Sequence, residues 1–214
     1  MREQIVEQDF EKLIASKYGL VIIKPDAIED DIFEYIIDFL ATQLHNNFNI
    51  EFTGIFPVRI TAQDVLALYP KKSPELLTKF GDYLTSSESL VMCFRGDGAV
   101  NIWEVLNKLK GVSIKDRPMD ALEDGSNLGI ESGVRGLIPL PHKREAYRAI
   151  FDKIIQSGGD NFMLDMDLFN LYMRNLIHSP DDIDDFSSLL NLLTKEQIEL
   201  AFGQDENLNH LIKD

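Results

Sequence analysis

The sequence has little of three things, and each shortage narrows what the protein can be. Cys93 is the only cysteine among 214 residues, which excludes an intrachain disulfide and a zinc site built on several thiolates. Within the apolar run 90–94 we expect Cys93 to be buried and inert. Positive charge is scarce: 21 Lys and Arg stand against 36 Asp and Glu, a formal net charge of −15. This balance argues against nucleic acid as a partner.

Long hydrophobic runs are also missing. No apolar segment approaches the roughly 20 residues needed to span a bilayer, so we expect no membrane partner. Residues 1–17 have a charged helical pattern without the apolar core of a signal peptide, and we therefore predict a cytoplasmic location. A hydrophobic content of 44% over this length predicts one domain with a sizeable core, with insertions or a small appendage.

Strand and helix signals alternate along the first half of the chain. Short β-branched or aromatic runs predict strands, and apolar residues at helical spacing predict helices. The predicted strands are 20–23, 50–60 and 90–94, and the predicted helices are 1–17, 31–44, 61–69, 74–85, 100–109, 142–155, 165–172, 184–193 and 194–202. Thr61 and Thr194 are predicted N-caps, and 111–133 is predicted to be a long loop. This order predicts α/β layers in which helices cover a sheet.

Two polar positions in apolar surroundings are candidates for chemistry. His178 closes the segment 174–178, which also holds an arginine and an asparagine, and neutral imidazole is nucleophilic near pH 7. The alternative is a surface histidine at a helix C-terminus, where a positive charge is favourable. Lys24 closes the run 20–23, so its ammonium can face a ligand at the rim of the sheet or snorkel into solvent. Together the two segments suggest phosphoryl transfer through a covalent histidine intermediate.

Three further residues each have a functional and a structural interpretation, and a fourth, Asp26, is given a structural role only. Arg135 can fork around a phosphate or be a solvated loop charge. Tyr69 can offer its hydroxyl or ring to a nucleotide, or belong to the core. Asp26 is predicted to cap the next helix. The acidic run 181–185 is typical of a helix N-terminus, and only Asp181 is kept as a candidate for a water-mediated Mg²⁺ contact.

Five short segments, in order along the chain, resemble the nucleoside diphosphate kinase family. Each is moderately specific, but their shared order over residues 18–190 is hard to produce by chance. The segments are 18–27 with its Lys-Pro-Asp signature, Tyr69 with 83–86, 98–100, 133–136, and 174–178. The last resembles the family motif that holds the phosphorylated histidine.

The resemblance implies a fold and a domain division. The fold is ferredoxin-like, a βαββαβ antiparallel sheet covered by helices, to which a helical insertion and C-terminal helices are added. The implied division is an N-terminal helix at 1–17, a kinase-like domain at 18–195 with insertions at about 112–132 and 140–170, and a C-terminal helical extension at 196–214. A homo-oligomer is also implied.

The implied reaction is ping-pong transfer of the γ-phosphate of ATP or another nucleoside triphosphate. His178 would take the phosphoryl group and pass it to a nucleoside diphosphate or a related acceptor, with Mg²⁺ bridging the phosphates. The imidazole should then face a pocket that it shares with cationic and amide side chains. Carried over by position, the residues that would contact phosphate or ribose are Lys24, Tyr69, Ser113, Arg135 and Asn175.

Departures from the family pattern keep two other functions open. Ser179 and Pro180 follow the histidine where the family has glycine and serine, and proline removes a backbone donor. Near Asn107 and Lys108 the family has a second phosphate-binding arginine, and none aligns here, so Lys108 or Lys110 would have to substitute as a point charge. No match is evident for the glutamate that usually orients the histidine. The alternatives are a catalytically silent nucleotide-binding or protein-interaction module that keeps the fold, and a nucleotide-dependent enzyme of another reaction type.

Overall fold

The computed structural model describes residues 2–111, 133–137 and 175–212, with the single positions Asp152 and Gln156. Several predictions fall outside these residues. They are the role of Ser113, the position of Arg174, and, apart from the two single positions, the insertions at about 112–132 and 140–170 with the helices predicted in them.

The described strands form one antiparallel sheet with the order β2-β3-β1-β4. They are β1 (Tyr18–Ile23), β2 (Glu51–Val58), β3 (Ser89–Arg95) and β4 (Ile177–His178). This order and pairing confirm the predicted ferredoxin-like sheet covered by helices. Pro57 is tolerated in β2 because, among the described strands, β2 lies at the edge of the sheet and pairs on one side only.

The helices surround the sheet, and each helical segment predicted within the described ranges corresponds to one of them, with ends that differ by a few residues. They are α1 (Arg2–Lys17), α2 (Pro25–Glu29), α3 (Phe33–Phe48), α4 (Ala62–Leu68), α5 (Pro74–Leu84), α6 (Ile102–Lys110), α7 (Ile183–Leu190), α8 (Lys195–Phe202) and α9 (Glu206–Asn209). A 3-10 turn covers Val134–Leu137. In this described part of the chain, no helix combines the length and the apolarity that crossing a membrane requires.

Two predicted helix starts are fixed by reciprocal side-chain bonds. The Thr61 hydroxyl accepts the N–H of Asp64 at 3.3 Å, and the Asp64 carboxylate accepts the N–H of Thr61 at 2.8 Å. In the same way, the Thr194 hydroxyl accepts the N–H of Gln197 at 3.3 Å, and the Gln197 side-chain oxygen accepts the N–H of Thr194 at 2.9 Å. Each pair satisfies two of the backbone N–H groups that a helix start leaves without a partner. The predicted N-caps are therefore confirmed.

The core is centred on β1, whose residues are all buried. Gly19 lets α6 cross this strand closely, because a Cβ atom at Gly19 would lie only 2.6 Å from Cγ2 of Ile102. One residue further along α6, the Nε1 atom of Trp103 donates to the carbonyl of Tyr18 at 2.8 Å. The indole also stacks on Phe186 of α7, with ring centroids 5.2 Å apart. These contacts fix α7, which carries part of the candidate site, against the sheet.

Helices from both ends of the chain complete this core. α1 packs against α6, α7 and β1, while α8 packs against β2 and β3. Ile198, Ala201 and Phe202 of α8 are buried. The Tyr18 hydroxyl donates to the carboxylate of Asp205, the N-cap of α9. The terminal helices therefore share the hydrophobic core of the sheet.

Cys93 lies in β3, between β1 and β2. It pairs with Leu20 on one side and with Gly54 on the other. Its side chain is fully buried, and burial raises the pKa of the thiol to about 12. The predicted burial is confirmed, and the raised pKa disfavours the reactive thiolate.

Candidate active site

His178 ends β4, directly opposite Ile22 of β1. Its side chain is only 15% exposed, and its Nε2 atom lies 3.1 Å from Oδ1 of Asp185. Asp185 is in the first turn of α7, where its own N–H donates to the Asp182 side chain at 2.9 Å. The start of α7 therefore holds one edge of the imidazole ring.

The ionisation of Asp185 decides which ring nitrogen carries the proton. Burial would raise the pKa of this carboxyl, but the hydrogen bond with His178 and the nearby charges together lower it. An ionised carboxylate only accepts hydrogen bonds. In the neutral imidazole Nε2 is therefore the donor, and Nδ1 keeps the lone pair.

A groove of about 370 Å³ opens beside His178. The chain segment that follows α4 forms one wall, and the start of α7 forms the other. The Tyr69 ring packs on Phe80, with centroids 4.7 Å apart, and its centroid lies 6.2 Å from that of the imidazole. Tyr69 thus belongs to the edge of the core and also lines the groove. The described lining residues are Ala67, Leu68, Tyr69, Pro70, Lys71, Lys72, His178, Asp181, Asp182, Asp184, Asp185 and Ser188.

The acidic run 181–185 is explained mainly by the start of α7. Asp182 is the N-cap, and two further aspartates occupy the first turn, where the helix dipole favours negative charge. Asp181 is well exposed, with Oδ1 3.5 Å from Nζ of Lys110. Among residues 2–111, 133–137 and 175–212, no cluster of three or more His, Cys, Asp or Glu side chains could hold a metal ion. The Mg²⁺ contact of Asp181 stays a prediction.

Lys24 lies on the same face of the sheet as His178. It follows Ile22 by two residues in extended backbone, and Ile22 is the partner of His178 across the sheet, so the three side chains point to one side. Lys24 is 2% exposed, and its Nζ donates to Oδ1 of Asn175 at 2.7 Å. The ammonium therefore does not snorkel into solvent.

Three cationic side chains lie close enough to influence one another. Burial lowers the pKa of Lys24 to about 7, and the charges of Arg135 and Lys110 act in the same direction. Burial also lowers the pKa of Lys110, an effect that Asp181 opposes most and that Arg135 strengthens. Of the two lysines considered as substitutes for an arginine, Lys110 is in this cluster, whereas Lys108 is exposed. Such a concentration of positive charge is typical of a phosphate site.

The groove differs from the pocket predicted from the sequence. The described residues that line it include His178 but not Lys24, Asn175 or Arg135. Lys24 and Asn175 instead bond to each other on the same side of the sheet. Arg135 is half-buried in the 3-10 turn that packs against α6. The structure thus groups the predicted residues as a cation cluster next to a groove.

The predicted capping role of Asp26 is wrong. α2 begins at Pro25, so Asp26 lies within the first turn, and the N-cap position is held by Lys24 without a side-chain cap. The Asp26 carboxylate is buried. It accepts the N–H of Leu176 at 2.9 Å and the hydroxyl of Tyr83. Its bonds therefore join the chain segment that precedes the histidine to α5.

Two neighbours of the histidine segment are not found by sequence reasoning. Asp185 occupies the place of an orienting acid, but an aspartate in a helix first turn has an ordinary explanation that hides this role. Asn107 donates to the carbonyl of Pro180 at 3.3 Å and accepts the hydroxyl of Ser179 at 2.9 Å. Asn107 thus fixes the segment that follows His178. The one sequence signal that could have identified Asp185 is an acid seven residues after the histidine, at the start of a predicted helix.

Comparison with solved structures identifies the class of this fold. A nucleoside diphosphate kinase from Borrelia burgdorferi, solved as a transition-state mimic with vanadate and ADP, has a TM-score of 0.53 and 14% identity over 85% of this chain and 88% of its own. A nucleoside diphosphate kinase from Pyrobaculum aerophilum has a TM-score of 0.51 and 15% identity over 85% of this chain and 97% of its own. A nucleoside diphosphate kinase family protein from Babesia bovis has a TM-score of 0.53 and 12% identity over 85% of this chain and 90% of its own.

These likenesses concern the fold, because the identities are low. The chain has the fold of the nucleoside diphosphate kinases, and the resemblance seen in the sequence is confirmed at that level. No protein-family model and no curated protein matches the chain. Its activity is therefore argued from the site.

Proposed function

We propose that the protein is a phosphotransferase that moves the γ-phosphate of a nucleoside triphosphate, through a phosphohistidine at His178, to a nucleoside diphosphate or a related acceptor. The observation that carries this proposal is the contact between Nε2 of His178 and Asp185 at the edge of the groove. It leaves the lone pair on Nδ1 of a histidine that is only 15% exposed.

In the proposed first half-reaction, the Nδ1 lone pair of His178 attacks the γ-phosphorus. The bond between that phosphorus and the β–γ bridging oxygen breaks, and the nucleoside diphosphate leaves with the electron pair. In the second half-reaction a phosphate oxygen of the acceptor attacks the phosphohistidine, which regenerates the imidazole. Phosphoryl transfer needs in-line placement and neutralisation of charge more than covalent chemistry from the protein.

The cation cluster supplies that neutralisation. Lys24, Lys110 and Arg135 would face the triphosphate, and the Asn175 amide and the Tyr69 hydroxyl would contact phosphate or ribose. Burial of the two lysines makes their charges effective, because a dry site screens them less than water does. We assign Ser113 a phosphate contact by its position in the sequence alone.

Mg²⁺ would enter as part of the nucleotide substrate, bridging the phosphates. The chemistry of Asp181 fits this role, since an exposed carboxylate at the edge of the groove can contact a water molecule of a bound Mg²⁺. Its bond to Lys110, at 3.5 Å, is long for an ion pair. The exposed Asp181 side chain can therefore turn toward a bound metal–nucleotide complex.

The test is incorporation of label from γ-³²P-ATP in the presence of Mg²⁺. We expect label that is labile to acid and stable to base, and that is lost in His178→Ala. His45→Ala is the matched control, because His45 is exposed on α3, and it should take up label at the rate of the unmodified chain. Absence of label, or label that survives His178→Ala, would reject the proposal.

One observation favours a second function, the catalytically silent nucleotide-binding module. Asn107, near the place where the family has a second phosphate-binding arginine and none aligns, bonds to Ser179 and Pro180. Its neutral amide cannot supply the charge that an arginine gives to a phosphate. This alternative predicts that ATP binds, as measured by calorimetry, while no phosphohistidine forms under any of the labelling conditions.

A further inference from the structure

Leu176, two residues before His178, sits in a strained turn. Its φ angle is +70°, and the N–H of Ile177 donates to the carbonyl of Asn175 at 2.8 Å. A bond that spans three residues with a positive φ at the centre defines the rarer form of γ-turn, which is strained. Strained backbone of this kind persists only where surrounding contacts enforce it, and such positions cluster at functional sites.

The contacts that enforce this turn come from one short segment at the end of β1. The Leu176 N–H donates to the Asp26 carboxylate at 2.9 Å. The Leu176 carbonyl accepts the N–H of Lys24 at 2.8 Å. The same lysine holds the Asn175 side chain through its ammonium, at 2.7 Å. Both polar groups of the central residue, and the side chain before it, are thus bound by residues 24–26.

The Asp26 carboxylate has a further partner on a different helix. Its second oxygen accepts the hydroxyl of Tyr83, which lies on α5. Asp26 is 1% exposed, and a buried carboxylate needs its hydrogen bonds, because an unsatisfied one is costly. If the tyrosine hydroxyl is removed, one carboxylate oxygen is left buried without a hydrogen bond, which favours movement of the carboxylate toward water. The turn at Leu176 would then lose one of the two bonds that hold the backbone of its central residue, the other being the bond from the Lys24 N–H.

We propose that Tyr83 is a positioning residue that acts through Asp26 on the γ-turn before His178. The bond from α5 fixes the carboxylate, the carboxylate fixes Leu176, and the turn sets where Asn175 and the imidazole point. This inference rests on the proposed function for its kinetic consequence. Its structural consequence, the restraint of the turn, can be measured without any activity.

The experiment compares the full chain with Tyr83→Phe, which removes one hydroxyl and no charge. Tyr35→Phe is the matched control, because Tyr35 is exposed on α3 and lies outside the candidate site. Two measurements are made on each: amide hydrogen exchange at Leu176 and Ile177, and the single-turnover rate of His178 labelling at saturating MgATP. The Kd for MgATP is measured alongside.

We expect Tyr83→Phe to speed exchange at the two turn amides by about tenfold and to slow labelling by a similar factor, as is usual when the support of a reactive side chain is removed. The Kd should change by less than the labelling rate, because Asn175 is one of several proposed nucleotide contacts, and exchange in β3 should not change. Asp26→Asn, which keeps the size but removes the charge, should speed exchange at the same two amides.

Unchanged exchange at Leu176 and Ile177 in Tyr83→Phe would overturn the inference. Faster exchange over β3 as well would also overturn it, because that result describes a general loss of stability. If Tyr83→Phe does not fold, the exchange of Asp26→Asn decides the matter by the same criteria. If the unmodified chain takes no label, the proposed function fails, while the exchange data still decide whether the hydroxyl restrains the turn.

Discussion

The Nε2 atom of His178 lies 3.1 Å from Oδ1 of Asp185, and the two side chains are equally shielded, each 15% exposed. The pair joins the last strand of the sheet to the first turn of α7. Because the carboxylate can only accept a hydrogen bond, it fixes both the ring orientation and the position of the proton. Reactivity at Nδ1 should therefore depend on a residue that touches only the opposite nitrogen.

We expect Asp185→Asn to slow phosphorylation of His178 by about 100-fold. The asparagine amide can donate to Nε2, which moves the ring proton to Nδ1 and removes the nucleophilic lone pair. The measurement is the single-turnover labelling rate at saturating MgATP. Asp38→Asn is the control, since Asp38 is exposed on α3 and is not among the residues that line the groove. Equal rates for the two variants would contradict the assigned role of Asp185.

Lys24 should take up a proton when a nucleotide binds. Its pKa is lowered to about 7, mainly by burial, so at pH 8 the amine is largely neutral in the unliganded protein. A bound phosphate places negative charge beside it and raises the pKa again. Calorimetry of MgATP binding in buffers of different ionisation enthalpy should show uptake at pH 8 that fades at pH 6, where the amine already carries its proton.

Lys24→Met should lack this pH-dependent uptake, because the titrating amine is gone. The variant also identifies the source of any proton taken up, since the other buried lysine remains. Uptake at pH 8 that is the same with and without the amine would show that another group titrates.

Lys110 should contribute to nucleotide affinity. It is buried next to Arg135 and Lys24, and its bond to the exposed Asp181 is long, at 3.5 Å. Loss of one charge-assisted contact corresponds to roughly a tenfold weaker Kd. We therefore expect Lys110→Met to bind a non-hydrolysable ATP analogue about tenfold more weakly, as measured by calorimetry. Lys108→Met, two positions earlier on the exposed side of α6, should bind it like the unmodified chain.

Two glycines should respond in opposite ways to alanine. At Gly19 the added methyl would lie 2.6 Å from Ile102, which forces α6 away from β1 and should reduce the free energy of unfolding by about 1–3 kcal/mol. At Gly81, within α5, nothing lies within 4 Å of the added atom. Gly81→Ala should therefore raise the free energy of unfolding by about 0.5–1 kcal/mol, through helix propensity and a smaller unfolded-state entropy. Urea unfolding of both variants is the measurement, and shifts of the same sign would contradict it.

The parts of the fold that could be predicted are those written in local sequence. The capping residues Thr61 and Thr194 are recognisable because their partners lie three residues further along. The strand 20–23 is recognisable because it is apolar throughout, and the structure extends it back to Tyr18. Local patterns predict the elements well because their hydrogen bonds close within one turn or one strand.

The parts of the site that could not be predicted depend on contacts between distant residues. Asp26 looks like a helix cap in the sequence, yet its partners are Tyr83 and Leu176, 57 and 150 positions away. In the sequence, Asn107 only marks a region where the family's arginine has no match, yet in the structure its amide holds the segment at Ser179. In both cases the side chain has an ordinary local interpretation. The tertiary contact that the side chain actually makes cannot be recognised from the neighbouring residues in the sequence.

The single cysteine can report how often the strands of the sheet separate. Cys93 is enclosed in β3 between β1 and β2, with its thiol fully shielded. An alkylating reagent can modify it only when the neighbouring strands separate, because the thiolate is the reactive form and the pKa is raised to about 12 in the closed sheet. The alkylation rate of the unmodified chain therefore measures how often the sheet opens, and a bound nucleotide that stabilises the closed form would slow it.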